Sequence, residues 1–515
     1  MRHQLITLAL VAAPLAAQAP KHAATYPAPP AAAMAAIRES DLKRDLYTLA
    51  GDAMRGREAG SLDELRASMW IADQLRAIGV KPAGENGTYF QWWNMKRTRI
   101  ATGASAVHVG TAALALWKDV APAANAETEV AAPTVFAGDG SDSTIDVRGK
   151  VAVVTMTAPS QAVKVEGTYS YEYRYAAAAV ASTAGRLRGR GAAAVIVVAD
   201  SIADAGFDAF AMLRARGMYD VEGGAYRFAP QPPGAGRGGR GGTAGGAAPS
   251  VVLLARRSLL GTLRADGQAG DIRLHLEQFD SPSVNIIGVV RGTDAKLRDE
   301  YVLYSSHQDH DGVRYPIAGD SIWNGADDNG SVSVALLAAA RAFVKAPAKR
   351  SVLFVYHGAE ERGLLGSRYH AAHPVVPLSQ IVAVLNGDMI GRNSPDSASL
   401  MGIQPPHLNS SELVAMALAA NDKTGKFHLD SLWDRPTHPE MWYYRSDHVP
   451  YARLGVPAIE YSSNLHPDYH TPRDEPSRID YGKLTRMTQW MYLTGWYVAN
   501  VPKRPALEPG FKLER

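Results

Sequence analysis

The 515-residue chain contains no cysteine. Disulfides are therefore excluded, and so is any metal site built on thiolates; a metal here must be held by nitrogen and oxygen ligands. A marked excess of charge of one sign is also missing. Lysine and arginine (54) nearly balance aspartate and glutamate (51), and a formal net charge of +3 gives no electrostatic reason to expect a nucleic acid partner. Long hydrophobic runs are scarce. The longest apolar stretch, in MRHQLITLALVAAPLAAQAP, is shorter than the roughly 20 residues of a membrane span. Its basic start, apolar middle and small residues predict an export signal over about 1–23, with a periplasmic or extracellular destination and no stable membrane span once the signal is removed.

What is present is ordinary globular material, with 46% hydrophobic and 20% charged residues. The length exceeds one ordinary domain. In LDELRASMWIADQLRAIG, Leu65, Met69, Ile71, Leu75 and Ile78 recur at helical intervals and Gly79 marks a stop. GTYFQWWNMKRTRI is aromatic and β-prone, and predicts a strand. Between about 122 and 270 the texture changes. VRGKVAVVTM and GAAAVIVVAD are buried-strand runs separated by a helical segment, followed by PGAGRGGRGGTAGGAAPS, a flexible exposed loop by composition. From Ser281 strands and helices alternate: EYVLYSSH, SVSVALLAAARAFVKA, SVLFVYHG, QIVAVLNGDM, VPAIEYS and a final long helix. That alternation predicts an α/β fold, a central sheet with helices on both faces. The change of texture sets the 122–270 stretch apart from 24–121 and 271–515.

Five potential ligands stand in separate settings: His307 in SSHQDHDG, Asp327 in NGADDNGS, Glu361 in GAEERGLLGS, Asp388 in LNGDMIGR and His470 in PDYHTPRDE. Two histidines and three carboxylates supply two ions with two side chains each and one shared carboxylate. His307, Glu361 and Asp388 lie where predicted strands end, which is where open α/β sheets place their sites. Asp309, two residues past His307, is a candidate to hold its far ring nitrogen. The Asp327–Asp328 and Glu360–Glu361 pairs open helices, where acids also serve as plain caps. Asp388, ending an apolar strand, would be costly to bury without a partner. Glu360 is placed to take a proton from an activated water, and Tyr469 to face a developing oxyanion. Asp447, His448 and His466 read as supporting residues rather than ligands.

Together SSHQDH, GADDN, AEERGLLGS, NGDMIGR, SDHVPYARLGVPA and YHTPRDE resemble the co-catalytic zinc exopeptidases that include bacterial leucyl aminopeptidase and glutamate carboxypeptidase. The resemblance covers Ser281 to the end. It implies two Zn²⁺, with Co²⁺ or Mn²⁺ as substitutes, and a peptide substrate. Carried over by motif, Asp327 bridges both ions, Glu361 and His470 complete one site, and His307 and Asp388 complete the other. Glu360 becomes the general base and Tyr469 the oxyanion donor. The resemblance implies a mixed central sheet, and the middle segment resembles the protease-associated domain inserted in many members, which implies a β-rich insertion over 122–270 between an N-terminal part (24–121) and a C-terminal part (271–515) of the main domain. Two departures stand out: Val332 follows Ser331 where glycine is frequent, and Ala359 precedes the Glu360–Glu361 pair where glycine is usual. The implied activity is aminopeptidase; a glutaminyl cyclase or a glutamate-type carboxypeptidase on the same fold are the alternatives.

Overall fold

The computed structural model describes residues 26–159, 171–222 and 251–513. The expected export signal and the Gly/Arg-rich loop lie outside the described residues.

Local signals fix the first long helix. Ser61 accepts hydrogen bonds from the backbone of Asp63 and Glu64, and Gly79, at φ 97°, ends the helix Leu62–Ile78. Its buried face (Ala67, Ile71, Leu75) joins the main core.

That core lies on one face of a ten-stranded sheet. Nine strands run in the order His428–Leu429, Ser397–Met401, Ala458–Ser462, Ile381–Gly387, Tyr301–His307, Ser351–His357, Leu276–Val290, Phe90–Ile100 and Met218–Val221, with Lys81–Pro82 paired beside Leu276–Val290. Tyr301–His307 is parallel to both Ser351–His357 and Ile381–Gly387, and Ile381–Gly387 is parallel to Ala458–Ser462. Leu276–Val290 runs antiparallel to Ser351–His357 and to Phe90–Ile100. The sheet is thus mixed, as the family resemblance implies.

Alternation along the central strand gives it two buried faces. Val302 and Tyr304 join the core built with helices Val332–Lys345 and Tyr481–Asn500. Tyr301 and Leu303 join a second core with Ala371, Tyr451 and Ala452, from helices Leu365–Ala372 and His448–Arg453. Helices cover both faces, so the strands read as continuous apolar runs. Removing a side chain such as Leu303 from this packing costs roughly 2–5 kcal/mol.

A second sheet of eight strands draws on residues 106–274, with its own apolar clusters and the helix Tyr171–Arg188. It begins before 122, because the short strands Ala106–Val109 and Ala112–Ala113 pair into it. Two- and four-residue strands carry too little periodicity to be read from sequence. The 122–270 stretch also fails to stay apart. Its strand Met218–Val221 pairs with 95–98 at the edge of the main sheet. Among the described residues no helix is long and apolar enough to cross a membrane.

Candidate metal centre

Three neighbouring parallel strands end at the same sheet edge, and this brings the site together. His307 is the last residue of Tyr301–His307, Glu360 and Glu361 follow Ser351–His357, and Asp388 follows Ile381–Gly387. The turn after Gly325 and the loop carrying His470 close on the same point. Two ligand-competent groups result. His307, Glu360 and Asp388 form one; His310, Asp328, Glu361 and His470 form the other, with the offered nitrogen and oxygen atoms of each group within 4.8 Å of one another.

Asp328 faces both groups. Its Oδ1 lies 3.2 Å from His307 Nε2 and its Oδ2 3.1 Å from His470 Nε2. His307 Nε2 is 3.7 Å from both Glu360 Oε2 and Asp388 Oδ1. Glu361 Oε1 lies 3.1 Å from His470 Nε2 and 2.8 Å from His310 Nδ1. His307 Nε2, both His310 ring nitrogens and Glu361 Oε1 are buried, and despite these close approaches none makes a hydrogen bond of good geometry. Nitrogen and oxygen ligand atoms converging in this way fit divalent cations, zinc above all.

The structure corrects the expectation for Asp327, which lies in neither group. Its Oδ1 accepts from Gly391 N at 2.6 Å, and its Oδ2 points toward His466 Nε2, 3.5 Å away. The neighbouring Asp328 takes the central position. The physical reason is the turn. Asp474 accepts from the backbone N–H of both Asp327 and Asp328 at 2.9–3.0 Å, and this fixes a conformation that aims the two carboxylates apart. The other expected ligands, His307, Glu361, Asp388 and His470, all stand in the two groups, and Glu360 stands beside His307 and Asp388.

Sequence reasoning missed two further residues. His310 sits three residues past His307 in the same SSHQDH motif, and that proximity was the available signal. Arg57 is fully buried and donates to Gln308 O, Leu49 O, Asn324 O and Gly325 O at 2.7–3.0 Å, tying the His307 loop to the Asp328 turn. Nothing local to its sequence marks that role, since its acceptors come from remote segments.

The supporting contacts are specific. His307 Nδ1 is 3.1 Å from the carbonyl oxygen of Asp309, while the Asp309 carboxylate accepts from the backbone N–H of Glu360 and Glu361 at 3.0 and 3.3 Å. Asp309 therefore orients the histidine through its carbonyl and the acidic pair through its side chain. His470 Nδ1 faces Asp311 Oδ2 at 3.4 Å. The Tyr469 hydroxyl accepts from Arg445 at 2.9 Å, and Arg445 is paired in turn with Glu440 at 2.9 Å.

Electrostatics separate the adjacent glutamates. Burial pushes Glu360 well above the usual carboxylate range; His307 opposes the rise, and Asp388 and Glu361 add to it. Burial acts on Glu361 too, but His470 and His310 outweigh it and bring the carboxyl down to about 2. Asp328 is likewise held well below its usual range, because His307 and His470 overcome its burial. Two neighbouring carboxyls with opposite shifts have the electrostatics of a proton-transfer group beside a permanent anion.

The mixed α/β fold and the two ligand groups at its sheet edge are similar to those expected of a co-catalytic zinc exopeptidase. Residues 285–494 match the family model for Peptidase family M28. Aminopeptidase YwaD of Bacillus subtilis (strain 168) is 27% identical over 259 residues, covering 48% of this chain and 52% of the relative. A probable leucine aminopeptidase of Arthroderma otae is 29% identical over 217 residues, covering 40% and 55%. The chain spans about half the length of the curated relatives it matches. Among solved structures, an aminopeptidase from Aneurinibacillus sp. strain AM-1 has a TM-score of 0.54 at 18% identity, covering 94% of this chain and 98% of that one. The zinc aminopeptidase BSAP from Bacillus subtilis has the same TM-score and identity, covering 91% and 96%. At that identity the likeness concerns the fold.

Proposed function

We propose that the protein is an exported, zinc-dependent aminopeptidase that removes N-terminal residues from peptides, holding two zinc ions. The observation that carries this reading is Asp328, whose two carboxylate oxygens each approach a histidine of a different ligand group. Asp388 and His307 hold one ion; Glu361, His470 and His310 hold the other. Bound zinc supplies an acidified water and an electrophile for the scissile carbonyl. Glu360, beside His307 and Asp388, would take the proton of the attacking water and return it to the leaving amine. Tyr469 accepts a hydrogen bond from Arg445, which leaves its own hydroxyl proton free for the developing oxyanion. The N-terminal pattern supports export, and the similarity to aminopeptidases supports a peptide substrate.

A glutaminyl cyclase with a single zinc does not need two ligand groups sharing a carboxylate. A glutamate-type carboxypeptidase needs a cation for the substrate carboxylate, and Arg445 is such a cation, although Glu440 already pairs with it. Short peptides with free and blocked ends, digested with and without chelator, separate the readings. Loss of the N-terminal residue from free-N-terminus peptides, abolished by chelator and restored by zinc, is the expected result. Full activity in metal-stripped protein ends the proposal, and cleavage that requires a free C-terminus redirects it to a carboxypeptidase.

A further inference from the structure

The segment 216–220 belongs to the stretch that sequence assigns to the insertion, yet it packs behind the metal centre. Three consecutive contacts tie it there. Arg216 Nη2 pairs with Asp311 Oδ1 at 2.7 Å, with side chains only 11% and 3% exposed. The Tyr219 ring lies 5.7 Å from the guanidinium of Arg362, the residue after Glu361. Asp220 pairs with Arg368 at 3.4 Å. The segment is itself anchored: Arg97 donates to Arg216 O at 2.9 Å, and Met218–Val221 pairs with 95–98.

Asp311 is where this reaches the chemistry. Its second oxygen, Oδ2, faces His470 Nδ1 at 3.4 Å, and the opposite nitrogen, His470 Nε2, faces Asp328 and Glu361. A carboxylate on the far side of a ligand imidazole fixes its tautomer and orientation. Arg314 and Arg362 also approach Asp311 Oδ1, but at 3.5 and 3.4 Å; Arg216 makes the short contact. A carboxylate buried among three guanidiniums has its direction set by the closest of them.

Resting on the reading of this site as a zinc centre, we propose that Arg216 is a positioning residue for His470. It acts through Asp311, so the 216–220 segment sets zinc affinity at the His310, Asp328, Glu361 and His470 group. The segment thereby contributes to the metal site although none of the four ligands belongs to it.

Zinc binding tests this without reference to turnover. Full-length, metal-stripped protein is titrated with zinc against a chromophoric chelator, as wild type, Arg216→Met and Arg216→Lys. Arg216→Met keeps the apolar stem and removes the fork. The expected result is that one of two bound zincs weakens by about 10–100-fold, the other is unchanged, and Arg216→Lys falls between. Wild-type affinity for both zincs in Arg216→Met overturns the proposal. So does equal weakening of both, which marks a general loss of structure. If Arg216→Met does not fold, Arg216→Lys decides by the same criterion. A wild-type chain that takes up no zinc overturns the parent reading, and this one with it, before any variant is compared.

Discussion

Asp327 and Asp328 are adjacent in sequence and turn their carboxylates to different partners. Asp327 caps the backbone N–H of Gly391, whereas Asp328 stands between His307 and His470. Asp328→Asn is expected to lose zinc and at least about a hundredfold in turnover, since it serves both ligand groups. Asp327→Asn should keep its zinc, because an amide oxygen can still accept from Gly391. Asp327→Ala should destabilise the fold by about 1–3 kcal/mol by orphaning a buried N–H. Metal analysis and denaturant unfolding of the three variants check this; normal zinc in Asp328→Asn refutes it.

Glu360 and Glu361 should separate in the same way. Glu360→Gln is expected to keep zinc and lose about 10²–10⁴-fold in turnover with little change in KM, because an amide cannot accept the water's proton. Glu361→Gln should lose metal as well as rate. The roles are reversed if Glu360→Gln sheds metal and Glu361→Gln does not. Turnover within tenfold of wild type in both leaves the pair as a charged helix start only.

Tyr469→Phe removes the hydroxyl that Arg445 holds. Turnover should fall by about 10²–10³-fold, with zinc content unchanged and KM little altered, the pattern of an interaction made in the transition state. A rise in KM at constant turnover would instead make Tyr469 a substrate-binding residue.

Acid should unfold the protein early. Burial pushes His370 and His448 down to about 3, so both are neutral in the fold. The unfolded chain protonates them near their ordinary value of about 6.5. Below that pH the unfolded state binds protons that the native state excludes. Stability is therefore full above about pH 6.5 and falls as pH drops toward 3, by up to about 1.4 kcal/mol per pH unit for each histidine. Urea unfolding of metal-stripped protein at pH 7 and pH 5 measures the slope. His370→Gln should flatten it, and an unchanged slope in that variant contradicts the assignment.

The sequence by itself determined the α/β fold with helices on both faces and the sheet edge where the chemistry gathers. Apolar strands such as EYVLYSSH and SVLFVYHG are buried on both faces, so their extent and their ends are written in local composition. His307, Glu361 and Asp388 follow from those ends. The tertiary structure decided what depends on direction and on distant partners. Which of two adjacent aspartates faces the site was set by Asp474, about 150 residues away in sequence and bonded to the turn's backbone. His310 entered the ligand group because the Glu361 turn packs against it. Arg57 and Arg216 gained their roles from carbonyls and carboxylates that only folding brings within reach, and no local pattern encodes such contacts.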